Sequence, residues 1–330
     1  MPWKGEKDPY KIWLSEIILQ QTRVEQGWDY YDRFIKAFPA VDRLASAPPT
    51  KVFKLWEGLG YYTRCRNLIA TAKLIMKDHA GIFPRSYEEI LALKGVGPYT
   101  AAAIASFAFN LPHAAVDGNV FRVLSRYFGI DTPIDSTTGK KLFTQLATEL
   151  LDKKNPGIYN QSIMDLGAVV CKPRQPLCTS CPFKTRCMAH LQGMVNTLPV
   201  KEKKTINKKR WFYYLVAEHD LKVYTRKREG KDIWQNLYEF ILLEEPAAMN
   251  EAALRQHPAV KKIMGKAGEI MDISPVYSQL LTHQTIEARF IRIRTKQAFT
   301  LTGYKPVSPS RLKALPFPKI ISRYLLDAGK

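Results

Sequence analysis

The chain of 330 residues is poor in cysteine and in acid, and it has no long apolar run. Five cysteines, four of them crowded between Cys171 and Cys187, are too few and too uneven for a disulfide scaffold. No apolar stretch reaches the roughly 18 residues that a membrane-spanning helix needs. The opening segment MPWKGEKDPYKIW has neither the apolar core nor the small-residue cleavage site of a secretory signal. A soluble intracellular protein is therefore expected, with no membrane partner. No solenoid period repeats along the chain. Acids number 30 against 50 Lys and Arg, a net charge of +20. A solvated basic surface would account for that surplus, but the commonest large acidic partner is a phosphate backbone.

What is present reads as globular, with 46% hydrophobic and 24% charged residues. The length exceeds what one core sustains, so two domains are expected. Residues 1–190 read as helical: Ile12, Trp13, Ile17 and Leu19 recur near helical spacing within Tyr10–Trp28. Val52–Leu59, Leu68–Ile75 and Ala101–Phe109 repeat that texture between Pro and Gly breaks. Residues 191–210 read as a basic linker, since Lys201–Arg210 holds six basic residues and one acid. From 211 to 330 the texture is α+β, with strand-like runs at Trp211–Val216, Leu237–Leu243 and Thr285–Ile293.

Three motifs carry chemistry. Cys171-x6-Cys178-x2-Cys181-x5-Cys187 sets four thiolates to wrap one compact cofactor, a [4Fe–4S] cluster or a structural zinc. Cys65 stands apart and reads as a packing residue. In Leu91–Ile104, Gly95-Val96-Gly97 permits a tight turn, and the N–H groups of the helix that follows face an anion. Taken alone such a turn is usually structural; in a basic protein a DNA phosphate is one anion it can hold, without reading sequence. The third motif is the acid of Val116-Asp117-Gly118-Asn119-Val120; left to itself, Asp117 would be a helix N-cap.

The cysteine spacing is similar to the cluster loop of the endonuclease III family of DNA glycosylases, and the glycine turn followed by Asp117 resembles that superfamily's helix–hairpin–helix–Gly/Pro–Asp signature. Pro9–Arg23 with its Ser15-Glu16 pair, and Gly58-Leu-Gly-Tyr61-Tyr62, resemble the MutY family of adenine DNA glycosylases. That likeness runs through about residues 2–200 and more loosely beyond. It implies a [4Fe–4S] cluster on Cys171, Cys178, Cys181 and Cys187. It also implies that Glu16 and Asp117 carry the chemistry, with Tyr99 supporting the catalytic carboxylate and Asn119 holding Asp117 or the flipped nucleotide. Gln21 and Tyr61, flanked by Thr22 and Leu59, resemble the pair that wedges beside 8-oxoguanine, while Trp3 and Gln161 are candidates for lining an adenine pocket. Family members usually carry a helix ahead of the Pro-Trp pair, which stands here at Pro2-Trp3.

Glycosidic cleavage needs an acid to protonate the leaving base and an anion to steady an oxocarbenium-like sugar. Glu16, placed among Trp13, Ile17 and Leu19, is expected to have a raised pKa, to protonate adenine N7 and then to help activate water. Strand-cutting relatives have lysine where Tyr99 stands, and Tyr99 offers no amine for a Schiff base, so a monofunctional glycosylase is expected. Arg226–Phe240 resembles the MutT-related domain of that family, but the Arg-Glu-x-x-Glu-Glu acids of a Nudix hydrolase are missing. A recognition module without hydrolase activity is implied. Thr282 and His283, in Leu281-Thr282-His283, stand where many members carry a Phe-Ser-His loop that reads 8-oxoguanine.

The expected activity is removal of adenine opposite 8-oxoguanine or guanine in double-stranded DNA, by a monomer at the nucleoid of the bacterial cytoplasm. A thymine- or oxidised-pyrimidine-specific enzyme of the same fold is the alternative, and Tyr99 and the C-terminal part argue against it. A cluster-bearing binding or redox-sensing protein is a further one, and Glu16 together with Asp117 argues against that.

Overall fold

A computed structural model describes residues 5–22, 24–202 and 207–329. They form two compact units, one from residues 5–46 and 66–202, the other from 47–65 and 207–329. The fold class matches the expectation of a helical N-terminal part followed by an α+β part.

The first unit contains α1 (Pro9–Leu19), α2 (Val24–Ala37) and α3 (Val41–Ser46). After α4 (Pro49–Trp56) of the second unit come α5 (Tyr62–Asp78), which runs from one unit into the other, and α6 (Tyr87–Ala92). The run continues through α7 (Pro98–Phe109), α8 (Gly118–Phe128), α9 (Thr137–Leu150), α10 (Pro156–Asp165) and α11 (Met188–Leu191). The helical spacing seen across Tyr10–Trp28 resolves into two helices, not one. Gln21 sits between them at φ 56°, a left-handed conformation that no continuing helix permits. Asp8 caps α1, accepting from the Tyr10 N–H at 2.9 Å. Trp13, Leu14, Ile17 and Ile18 are buried, which leaves Glu16 on the remaining face.

Helix α6 opens on a capping box, with Ser86 and Glu89 exchanging hydrogen bonds. Between α6 and α7, Gly95 adopts φ +83°, and a Cβ there would lie 2.7 Å from the Asn67 side chain. Only glycine fits, so the turn and the direction in which α7 leaves it are fixed together. Helix α7 is almost apolar, and Thr100 through Ser106 are buried in the unit's centre.

The second unit is built on β1 (Lys208–His219), β2 (Lys222–Lys227), β3 (Tyr238–Glu239) and β4 (Ile241–Glu245). After α12 (Glu251–Gln256) and α13 (Pro258–Met264) come β5 (Glu269–Ile273), β6 (Tyr277–Leu280), β7 (Gln284–Arg294) and β8 (Lys305–Val307). Helices α14 (Pro309–Ala314) and α15 (Lys319–Asp327) close the chain's described part. β1 and β7 pair in parallel over eleven residues at the sheet's centre, and the other pairings are antiparallel. β1 begins inside the stretch read as a linker, and residues 203–206 of that stretch lie outside the described residues. The run Leu237–Leu243, expected as one strand, is two. Phe240 is fully buried and packs on Phe317, and the chain turns there so that β3 pairs with β2 while β4 pairs with β1.

No helix among the described residues is long and apolar enough to cross a membrane.

Candidate active site

Within the first unit, α1, α7, α8 and α10 surround a cavity of about 750 Å³. That size suits a nucleotide-scale ligand. Its wall brings together Glu16, Gln21, Thr22, Tyr99, Asp117, Asn119 and Gln161, residues spread over some 145 positions of the chain. Apolar surface comes from Ile12, Val116, Phe121 and Ile158. Trp3 lies outside the described residues.

Glu16 is half-buried in the cavity wall and densely surrounded by protein. Loss of hydration pushes its pKa up to about 7. A hydrogen bond from the Tyr99 hydroxyl opposes the rise, and the nearby charge of Asp117 adds to it. Near neutral pH, Glu16 therefore holds a proton about half the time. Burial raises the Tyr99 hydroxyl well above the usual tyrosine range, so it stays a donor. Its proton has a second acceptor in the Met164 thioether, 3.6 Å away.

Asp117 does two things at once. Its Oδ1 accepts from the Asn119 N–H at 2.9 Å and the Val120 N–H at 2.8 Å, capping α8. Its Oδ2 accepts from Asn119 Nδ2 at 2.7 Å. Burial moves its pKa upward, while these three donors favour the charged form. Two carboxyls of one cavity thus differ in kind: one is stripped of water with a single donor, the other is held by three.

Asn119 is itself held. Its Oδ1 accepts from Arg122 Nη2 at 2.8 Å, and the same guanidinium donates to the carbonyls of Gly167 at 2.7 Å and Cys171 at 2.7 Å. One helical turn on, Arg126 donates to the Lys172 carbonyl at 2.7 Å and meets Cys171 Sγ at 3.5 Å. Both arginines are buried. Gly167, in the π-turn Leu166–Val170, lies so close to Asn119 that a Cβ would sit 2.6 Å from the Asn119 Cβ. Motif reading missed Arg122, Met164 and Asp165. Only the paired arginines, four apart on α8, left a trace in the sequence.

The four clustered cysteines are free thiols, and all line one small cavity with Arg126, Leu177 and His190. Burial raises the Cys178 thiol, and the neighbouring Cys171, Cys187 and Cys181 sulfurs add to the rise. Among the described residues, no three His, Cys, Asp or Glu side chains converge tightly enough to hold a single metal ion. The four thiols are soft donors of the kind that ligate an iron–sulfur cluster or a zinc ion.

Val96 and Gly97 complete the hairpin, where the Val96 N–H donates to the Leu93 carbonyl at 3.1 Å and Gly97 caps α7. In the second unit, Tyr61 is exposed with φ 47°, whereas Leu59 is buried. Thr282 and His283 are exposed in the turn between β6 and β7, and the hydroxyls of Tyr61 and Thr282 are hydrogen-bonded.

Comparison with known proteins agrees with this layout. Residues 14–149 match the HhH-GPD superfamily of base excision DNA repair proteins, and residues 212–327 match the NUDIX domain. The chain is 40% identical over 241 residues to the adenine DNA glycosylase of Buchnera aphidicola subsp. Baizongia pistaciae, covering 73% of this chain and 68% of that one. It is 41% identical over 211 residues to the adenine DNA glycosylase of Rattus norvegicus, covering 60% of this chain and 41% of the relative. Among solved structures, a thermostable thymine-DNA glycosylase superposes with TM-score 0.54 at 31% identity, covering 58% of this chain and 88% of that one. Endonuclease III in a non-covalent DNA complex shares the fold, with TM-score 0.51 at 22% identity over 57% of this chain and 87% of that one.

Proposed function

Because the chain belongs to the adenine DNA glycosylase family, we propose that it excises adenine mispaired with 8-oxoguanine or guanine during base excision repair. It hydrolyses the N-glycosidic bond and leaves an abasic site. The observation that carries this reading is the unlike pair of carboxyls in one nucleotide-sized cavity, Glu16 at about 7 and Asp117 held by three donors.

Adenine swung out of the helix enters the cavity, at a cost of a few kcal/mol of stacking. Glu16 gives its proton to N7, the bond from sugar C1′ to N9 breaks with its electrons on the base, and neutral adenine leaves. The Asp117 carboxylate, fixed by α8 and Asn119, offsets the positive charge that grows on the sugar. Water then adds to C1′ and gives a proton back to the Glu16 carboxylate. Tyr99, donating to Glu16, keeps that carboxyl aimed. No amine stands at this position, so strand cleavage by a Schiff base has no nucleophile there.

The hairpin Gly95-Val96-Gly97 and the start of α7 take a backbone phosphate. Gln21 and Thr22, in the wall of the cavity, meet the opened duplex. In the second unit, the exposed Tyr61, the buried Leu59, Thr282 and His283 are the groups for the opposite base. That unit lacks the metal-binding acids of a Nudix hydrolase and serves as a recognition module. Cys171, Cys178, Cys181 and Cys187 would hold a [4Fe–4S] cluster, whose bonds would tie the loop that Arg122 and Arg126 grip. From Lys201 to Lys231 there are 11 basic residues and 4 acids, which makes DNA binding strongly salt-dependent. We put its work at the nucleoid of a bacterial cytoplasm, as a monomer.

The test is single-turnover incubation with labelled duplexes carrying adenine opposite 8-oxoguanine, guanine or thymine, each worked up with and without alkali. Alkali-dependent breaks in the first two alone are expected. Breaks without alkali, or equal breakage opposite thymine, would overturn the proposal.

A further inference from the structure

Helix α10 presents Gln161 and Asp165 four residues apart, so the two side chains stack on one face and both reach the cavity wall. The Gln161 Nε2 donates to Asp165 Oδ1 at 3.0 Å. A carboxylate has acceptors only, so the contact forces the amide nitrogen toward Asp165 and turns the amide oxygen the other way. An unheld glutamine would offer the cavity either end.

We propose that Asp165 is a positioning residue for base selection: it locks Gln161 with its carbonyl oxygen toward the excised base. This deepens the reading of the cavity as an adenine site and rests on it. Adenine carries a donor at its six-position, the N6 amino group, and hypoxanthine carries an acceptor, O6. A locked carbonyl accepts from the first and opposes the lone pairs of the second. The two bases share N7, so the proton donated by Glu16 does not distinguish them. Discrimination of this kind is strong where a buried polar group must find its complement.

The experiment compares single-turnover release of adenine and of hypoxanthine, each opposite 8-oxoguanine, from the parent protein and its variants. In Asp165→Asn the side chain can donate as well as accept, Gln161 can turn over, and the adenine-to-hypoxanthine ratio should fall roughly tenfold, the equivalent of one hydrogen bond. Asp165→Glu keeps a carboxylate and should restore most of the ratio. A merely structural role would slow both bases together and leave the ratio in place. Gln161→Met removes the reader, so it should lower the ratio by a similar factor, and adding Asp165→Asn to it should change nothing more. That variant also decides the matter should Asp165→Asn fail to fold. An unchanged ratio in Asp165→Asn or in Gln161→Met, with adenine still released by the parent, would overturn this proposal alone. Failure of the parent to release adenine would overturn the adenine reading and this proposal with it.

Discussion

Glu16→Gln should make the protein inactive and more stable, and the second effect should depend on pH. Raising the carboxyl from its ordinary 4.5 to about 7 means the folded state disfavours the charged form. At about 1.4 kcal/mol per pH unit, the cost of the ionised group in the fold is about 3 kcal/mol. The direction follows from which state binds the proton. Between pH 4.5 and 7 the folded protein keeps a proton that the unfolded chain has lost, so wild-type stability falls as pH rises through that window. Glutamine fills the same space, accepts the same Tyr99 hydrogen bond and never ionises. The variant should match wild type near pH 4.5 and exceed it by about 3 kcal/mol above pH 7.5, or about 6 to 12 °C in the thermal midpoint of a unit this size. Loss of the general acid should lower the rate of base release at least about a hundredfold while leaving duplex binding intact. Thermal unfolding of both proteins at pH 4.5 and pH 8, gel-shift titrations and single-turnover base release together read all three quantities. A gain of the same size at both pH values, or none at pH 8, would show that the carboxyl is not held in a charge-disfavouring site.

Asp117→Asn and Asp117→Ala separate the cap from the chemistry. Asparagine also caps helices, but its amide nitrogen would face Asn119 Nδ2 where Oδ2 now accepts, so Asp117→Asn should lose turnover and about 1 kcal/mol in denaturant unfolding, while Asp117→Ala, which loses the cap as well, should lose turnover and about 2 kcal/mol. Equal stability of the two variants would deny the cap. Gly95→Ala places a Cβ 2.7 Å from Asn67 in a left-handed backbone, so it should cost about 1–3 kcal/mol and weaken binding to any duplex alike. A loss confined to mispaired duplexes would contradict a phosphate-holding turn. Replacing Cys171 with serine should abolish iron binding in anaerobically prepared protein, and zinc in place of iron in the unaltered protein would refute the cluster assignment.

Much of the fold was legible because its signals are local. Cysteine spacing, the glycine turn, and an acid just ahead of a helix each lie within a few residues of one another, and the strands β1 and β7 announce themselves by composition. What was hidden is what long-range packing decides. The break at Gln21 follows no proline or glycine, so the helical pattern runs straight across it. Phe240 splits a uniform apolar run only because it anchors on Phe317, far along the chain. Residues 47–65 group with the C-terminal unit, and nothing in their helical texture shows it. Arg122 and Asp165 look like ordinary charged helix positions until the partners 49 residues away, or one turn back, are known.

The most direct measurement is the single-turnover rate of free adenine release from a duplex with adenine opposite 8-oxoguanine, followed from pH 5 to pH 9. The rate should fall about tenfold per pH unit once pH passes about 7, as the Glu16 proton is lost. A rate that is flat or rising above pH 7, or a basic limb that persists in Glu16→Gln, would contradict Glu16 as the acid that releases the base.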